Sequence, residues 1–191
     1  MSDARTSEKA PKSVGLIQVY TGDGKGKTTA SLGMALRAVS QGIRVAIVHF
    51  DKGGTHYAER GIIGEKFAGQ IDLFACGLDR IDPKTNRFRF GVTDEDKAEA
   101  GRGLALVRDI FRKGEHGLVI MDEINCTVSL GMLDERDALA VIAEKPAGTE
   151  LVLTGRQAPA SFRELADLVT EMTLVKHYFY KGVPARYGLD Y

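Results

Sequence analysis

Two stretches of this sequence have residue types and spacing suited to phosphate chemistry, and an arginine further on fits with them. The first stretch is Thr21-Gly22-Asp23-Gly24-Lys25-Gly26-Lys27-Thr28-Thr29. Glycines at this density let backbone N–H groups turn inward as an anion nest, and a helix starting here adds its positive dipole end. Lys27 supplies a point charge to phosphate oxygens, and the Thr28 hydroxyl is placed to ligate Mg²⁺. The usual eight-residue pattern would begin with glycine at position 21, where this chain has Thr21 followed by Gly22. The second stretch is Asp122-Glu123, two carboxylates directly after the apolar run Leu118 to Met121. Carboxylates in such a place are costly unless something cationic sits beside them. Together with the loop they read as holders of Mg²⁺ or its water, and spacing does not decide which one touches the ion. Arg156 follows another apolar run and is either a phosphate contact or a surface or ion-paired arginine.

These groups need elements to hold them. Val14 to Tyr20 reads as a buried strand, and Thr28 to Gln41 as a helix with Leu32, Ala35, Leu36 and Val39 on one face, ended by Gly42. Arg44 to Phe50 reads as a second buried strand, so strand, helix and strand form a right-handed parallel unit. His49-Phe50-Asp51-Lys52-Gly53-Gly54 then falls where the strand ends of such a sheet open on a ligand crevice. Further on come a short helix within Thr55 to Gln70, a brief strand Ile71 to Phe74 and a long loop Gly77 to Phe90. A helix capped by Thr93 with an acidic first turn runs towards Arg112. After the Asp-Glu strand, the pattern predicts a helix over Leu133 to Glu144 and a strand over Glu150 to Thr154. A helix opened by a Ser161–Glu164 capping box and a last strand over Thr170 to Val175 complete it. The sum is a three-layer α/β phosphate-loop fold with a mainly parallel sheet, binding Mg·ATP or GTP in one domain over residues 14–191. Residues 1–13 form a polar, flexible tail.

Bulk properties narrow the function. With 26 basic and 26 acidic residues there is no electrostatic case for nucleic acid or an anionic membrane. The apolar runs are strand-length, too short to span a bilayer, and the first residues lack a signal-peptide core. Cys76 and Cys126 have no ligand spacing around them and read as reduced thiols in a cytoplasmic protein. His49, His56 and His116 are not spaced as a metal cluster and read as non-catalytic.

The combination resembles one family. The phosphate loop with its threonines, Asp122-Glu123, Leu-Thr-Gly-Arg at 153–156, Val-Lys-His at 175–177 and the closing Gly-Leu-Asp-Tyr are similar, in order and spacing, to the ATP:corrinoid adenosyltransferases. The resemblance implies that the Co(I) of a reduced corrinoid attacks the 5′ carbon of ATP and releases inorganic triphosphate, in adenosylcobalamin biosynthesis or salvage. The whole triphosphate is then the leaving group, so the nucleotide lies reversed in the loop compared with ordinary ATPases. Backbone N–H groups from Gly22 to Thr29, with Lys25 and Lys27, would stabilise its charge, as would Mg²⁺ held through Thr28 and Asp122 or Glu123. Lys27 and Glu123 are the catalytic candidates. By family position Arg37 and His177 approach the adenosine. The resemblance also implies a homodimer and a reduced flavoprotein as electron donor.

The sequence departs from the family in two places. Related chains have Gln-Phe, an apolar residue, Lys and Gly after the second strand, where this one has His49-Phe50-Asp51-Lys52-Gly53. The Gly77–Phe90 stretch is longer than the aromatic loop some members press on the corrin, and it carries Arg80, Asp82, Arg87 and Arg89. Phe88 and Phe90 are its candidates for corrinoid contact. Two other functions stay open on the sequence: a phosphate-loop hydrolase or kinase, with Glu123 activating or orienting the nucleophile, and a non-catalytic ATP-dependent corrinoid carrier.

Overall fold

A computed structural model describes residues 14–81 and 89–191. Among these residues six strands and six helices follow in chain order, beginning with β1 (Ile17–Thr21), α1 (Lys27–Ser40), β2 (Val45–His49), α2 (Ala58–Lys66), β3 (Ile71–Ala75) and α3 (Asp94–Lys113). After these come β4 (Leu118–Asp122), α4 (Ile124–Ser129), α5 (Glu135–Ala143), β5 (Glu150–Thr154), α6 (Ala160–Leu165) and β6 (Leu168–Glu171), then a 3₁₀ turn at Tyr178–Lys181. The sheet order is β3-β2-β4-β5-β1-β6, and every pairing is parallel.

Strand side chains alternate between two cores, as the period of two requires. Val45, Ile47, Leu118, Ile120 and Val152 face one layer, closed by Ala35 of α1 and Ile63 of α2. Ala46, Val48, Val119, Met121, Leu151 and Leu153 face the other, closed by Leu104 and Val107 of α3, Val141 of α5 and Phe162 of α6. Helices therefore cover both faces, which makes a three-layer phosphate-loop fold. Because all strands run the same way, the carboxyl ends of β1, β2, β4 and β5 share one edge.

Several sequence expectations need correction. Leu36 is half exposed rather than core-facing, because α1 buries a narrower stripe through Ala35. The Ser161–Glu164 capping box does not form: α6 starts after Pro159, and Ser161 Oγ donates instead to Glu135 Oε1 at 2.5 Å. The last strand is Leu168–Glu171, because pairing with β1 ends where Thr21 meets Glu171. The short α4 had no sequence signal, being only Ile124–Ser129. By contrast Thr93 does cap α3, accepting from Asp96 N while Asp96 accepts from Thr93 N. Among the described residues both cysteines are free, and burial pushes the Cys126 thiol up to about 11, leaving it largely protonated.

Candidate active site

The loop between β1 and α1 is shaped by close approach. Gly22 and Gly26 have φ of 94° and 120°, in the region that favours glycine. A Cβ on Gly22 would lie 2.5 Å from the Met172 carbonyl oxygen, so the chain after β6 also forbids a side chain there. Gly24 N–H is already committed, donating to Met172 O at 2.7 Å, which removes one donor from the expected anion nest. Thr21, in the place of the missing glycine, is fully buried and its hydroxyl accepts from Ala158 N at 3.1 Å. That position therefore ties the loop to the segment following β5. Lys27 bridges the loop, donating to Gly22 O and Gly24 O at 2.7 and 2.8 Å. Burial pulls its ammonium below the usual lysine range, despite Glu123 nearby.

β5 lies between β1 and β4, and its last residue joins the loop side to the carboxylates. Asp122 is fully buried. Its Oδ1 accepts from Thr28 Oγ1 at 2.9 Å and Thr154 Oγ1 at 2.6 Å, and its Oδ2 is 2.8 Å from His49 Nδ1. Lys52 Nζ donates to the same Oδ2 at 2.5 Å and to Thr28 Oγ1 at 3.0 Å. Burial alone would raise the Asp122 carboxyl, but Lys52 and His49 hold it well below the usual range. His49 is thus a positioning residue behind the site. Glu123 turns the other way. It has φ of 66°, one of three non-glycine residues in the left-handed region among those described, and its carboxylate lines the cleft 3.7 Å from Lys52 Nζ. Burial pushes its carboxyl upward against the pull of Lys52. Asp51 and Gln157 are the other two, and all three follow strand carboxyl ends.

These groups face a cleft of about 1040 Å³. Asp23 to Thr29 form one wall, Lys52, Tyr57, Glu123 and Arg156 line it further round, and the C-terminal segment closes it. Lys25 Nζ donates to Leu189 O at 2.6 Å and to Asp190 Oδ1, and Asp190 also takes the Tyr178 hydroxyl and Arg186 N. The closing Gly-Leu-Asp-Tyr is therefore brought back onto the phosphate loop, 164 residues away in sequence. His177 lines the same cleft, with its Nδ1 accepting from Phe179 N at 3.1 Å.

Of the residues singled out from sequence, Asp23, Gly24, Lys25, Gly26, Lys27, Thr28, Thr29, Glu123, Arg156 and His177 line the cleft. Asp122, Thr21 and Gly22 support it from behind. Arg37 is exposed and not among the lining residues; on α1 it stands ten residues beyond Lys27, about 15 Å along the axis. Phe90 is 85% exposed and also outside the lining, while Phe88 lies outside the described residues. Among the described residues, the tyrosine and phenylalanine side chains that reach the cleft are Tyr57, Tyr178, Phe179, Tyr180 and Tyr191. Sequence reading missed Lys52 and Tyr57 as site residues. The signal for Lys52 was its place just past the end of β2 on the ligand edge.

The hydroxyl of Thr28 and the carboxylates of Asp122 and Glu123 form a hard-oxygen donor set suited to Mg²⁺, and the Lys52 ammonium stands among them as a resident cation.

Comparison with known proteins identifies the relatives of this chain. The chain is 35% identical to a corrinoid adenosyltransferase of Sinorhizobium sp over 98% of its own length and 83% of that protein. It is 34% identical to a corrinoid adenosyltransferase of Escherichia coli K12 over 99% of itself and 91% of the relative. The flagellar accessory protein FlaH of Methanocaldococcus jannaschii shares the fold alone, with a TM-score of 0.55 and 12% identity over 84% of this chain and 71% of that one. Residues 13–191 match the family described as ATP:corrinoid adenosyltransferase BtuR/CobO/CobP, and the chain belongs to that family.

Proposed function

We propose that this enzyme transfers the 5′-deoxyadenosyl group of ATP to the Co(I) of a reduced corrinoid, releasing inorganic triphosphate. The observation that carries this reading is the meeting of the phosphate loop and the closing Gly-Leu-Asp-Tyr in one cleft, through Lys25, Leu189 and Asp190. These are the two most specific marks of the family, and only folding joins them.

In the transfer, a bond forms between cobalt and C5′ as the C5′–O bond breaks, and the bonding electrons leave on the triphosphate. No protein nucleophile is needed, so the protein's part is positioning and stabilising the leaving charge. Lys27, released from Gly22 O and Gly24 O, faces that charge together with the loop N–H groups and Arg156. Thr28, Asp122 and Glu123 would hold Mg²⁺, which on binding neutralises part of the triphosphate charge. The C-terminal aromatic residues and His177 form the wall against which the adenosine is packed, excluding water. Adenosine contact by Arg37 needs a different arrangement from that of the single chain, and a homodimer is the arrangement we propose. A flavoprotein reductant, a cytoplasmic location and corrinoid contact by Phe88 and Phe90 complete this reading.

Mixing the protein with Mg·ATP and chemically reduced cobalamin under anaerobic conditions tests the proposal. Loss of Co(I) absorbance should keep step with formation of inorganic triphosphate. ADP and phosphate, with Co(I) untouched, would overturn it in favour of a hydrolase.

A further inference from the structure

The acceptor capacity of Asp122 is full. An ionised carboxylate offers about four lone-pair sites, and four donors take them: Thr28, Thr154, His49 and Lys52. The carboxylate is completely buried, and Lys52, only 13% exposed, lies between it and the cleft. The same ammonium reaches Thr28 Oγ1 at 3.0 Å and stands 3.7 Å from Glu123 Oε1. Lys52 therefore touches or approaches each of the three groups that suit Mg²⁺. A divalent ion could not join Asp122 directly without displacing one of its donors, and beside the ammonium it would meet like charge at contact distance.

The backbone under Lys52 is firmly held. Its N–H donates to Cys76 O at 3.1 Å, its carbonyl accepts from Arg60 at 2.5 Å, and Gly53 N–H donates to Leu78 O at 3.2 Å. Any displacement is thus a movement of the four-carbon side chain, and the cleft is the open direction. Tyr57 stands on that side, its ring centroid 5.7 Å from the ammonium.

We infer that Lys52 is a resident counter-cation of the metal corner, excluding a divalent ion until the triphosphate arrives to bring the metal and accept the ammonium. The inference rests on the reading that Mg·ATP binds in this cleft. Metal is then taken up with nucleotide and not before it. Lys52 becomes a triphosphate-binding residue in the loaded state, and no covalent step is involved.

Direct metal binding tests this without corrinoid or turnover. Mn²⁺ alone should bind the wild-type protein weakly by electron paramagnetic resonance titration. Lys52→Gln keeps a polar side chain but loses the charge, and should bind Mn²⁺ alone at least tenfold more tightly. Equal affinity in the two proteins would overturn the inference. Thermal unfolding of Lys52→Gln shows whether the fold survives. Independently of any variant, the side-chain NMR signals of Lys52 in the wild-type protein should move on adding Mg·ATP and stay in place with the same concentration of Mg²⁺ alone. Movement with Mg²⁺ alone would equally overturn it. Failure of adenosyl transfer would show instead in the triphosphate assay, which neither of these readouts uses.

Discussion

Asp51 and Lys52 are neighbours, yet they serve two ion-pair clusters of opposite character. Lys52 points to the corner of Asp122, Glu123 and Thr28, which opens on the cleft. Asp51 pairs with Arg80 Nε at 2.6 Å, and Arg80 donates on to Gly91 O at 2.8 Å and lies 3.8 Å from Asp96. Asp96 in turn takes both nitrogens of the Arg89 fork, at 2.7 and 2.9 Å, and caps the start of α3. Both clusters put carboxylates out of solvent beside cations. The difference lies in completion and access. In the closed cluster, protein donors meet the Asp96 carboxylate from Arg89 and Thr93, and no member lines the cleft. In the open one, Glu123 faces the cleft from strained backbone, and among the described residues its carboxylate has only a 3.7 Å approach to Lys52. A satisfied network holds a fold together, whereas an open one is ready for a ligand.

The comparison can be broken experimentally, starting where the effect is largest. Lys27→Ala should lower the rate of adenosyl transfer on the order of a thousandfold with the fold intact, because it removes charge from the leaving-group site. Near-normal transfer in that variant would take the loop out of the chemistry. Glu123→Gln, at the open cluster, should weaken Mn²⁺ binding in the presence of ATP by about tenfold while leaving the unfolding midpoint close to wild type. A large fall in the midpoint would make Glu123 a structural residue like those of the closed cluster.

Arg80→Ala should show the reverse pattern. It leaves Asp51, only 14% exposed, without its cation and should cost about 3 kcal/mol of stability in denaturant titrations, with ATP affinity unchanged. Loss of ATP binding without loss of stability would show that the two clusters are not separate. The smallest effect concerns pH. The Arg89 guanidinium, helped by Thr93, holds Asp96 well below the usual carboxylate range against the effect of burial. A depressed folded-state pKa contributes stability that is present above about pH 4, the unfolded value, and lost as pH falls through the folded one. The stability gap between wild type and Asp96→Asn should therefore be steady near neutrality and narrow below about pH 4. A gap that widens on acidification would contradict the pairing.

Much of this was legible in the chain itself. The phosphate loop, the apolar strands, the Thr93 cap and the carboxylates after β4 are local signals, each carried by a few consecutive residues whose types have one economical use. Glycine at 22 and 26 serves a backbone that enters the left-handed region, and an unbroken apolar run such as Leu118 to Met121 needs cover on both faces. Residue types alone also sufficed to point to the family. What they left open was which of two adjacent carboxylates looks into the cleft, and tertiary structure decided it: strand pairing buries Asp122 beside His49, while the left-handed turn at Glu123 swings the next side chain outward. Structure likewise moved Lys52 into the site, left Arg37 outside it, and divided the charges after β2 between a working cluster and a supporting one. A sequence states which charges exist. Which of them become partners depends on strand order, and here that order sets β2 and β5 on either side of β4 and brings to Asp122 residues as far as 94 positions from it in sequence.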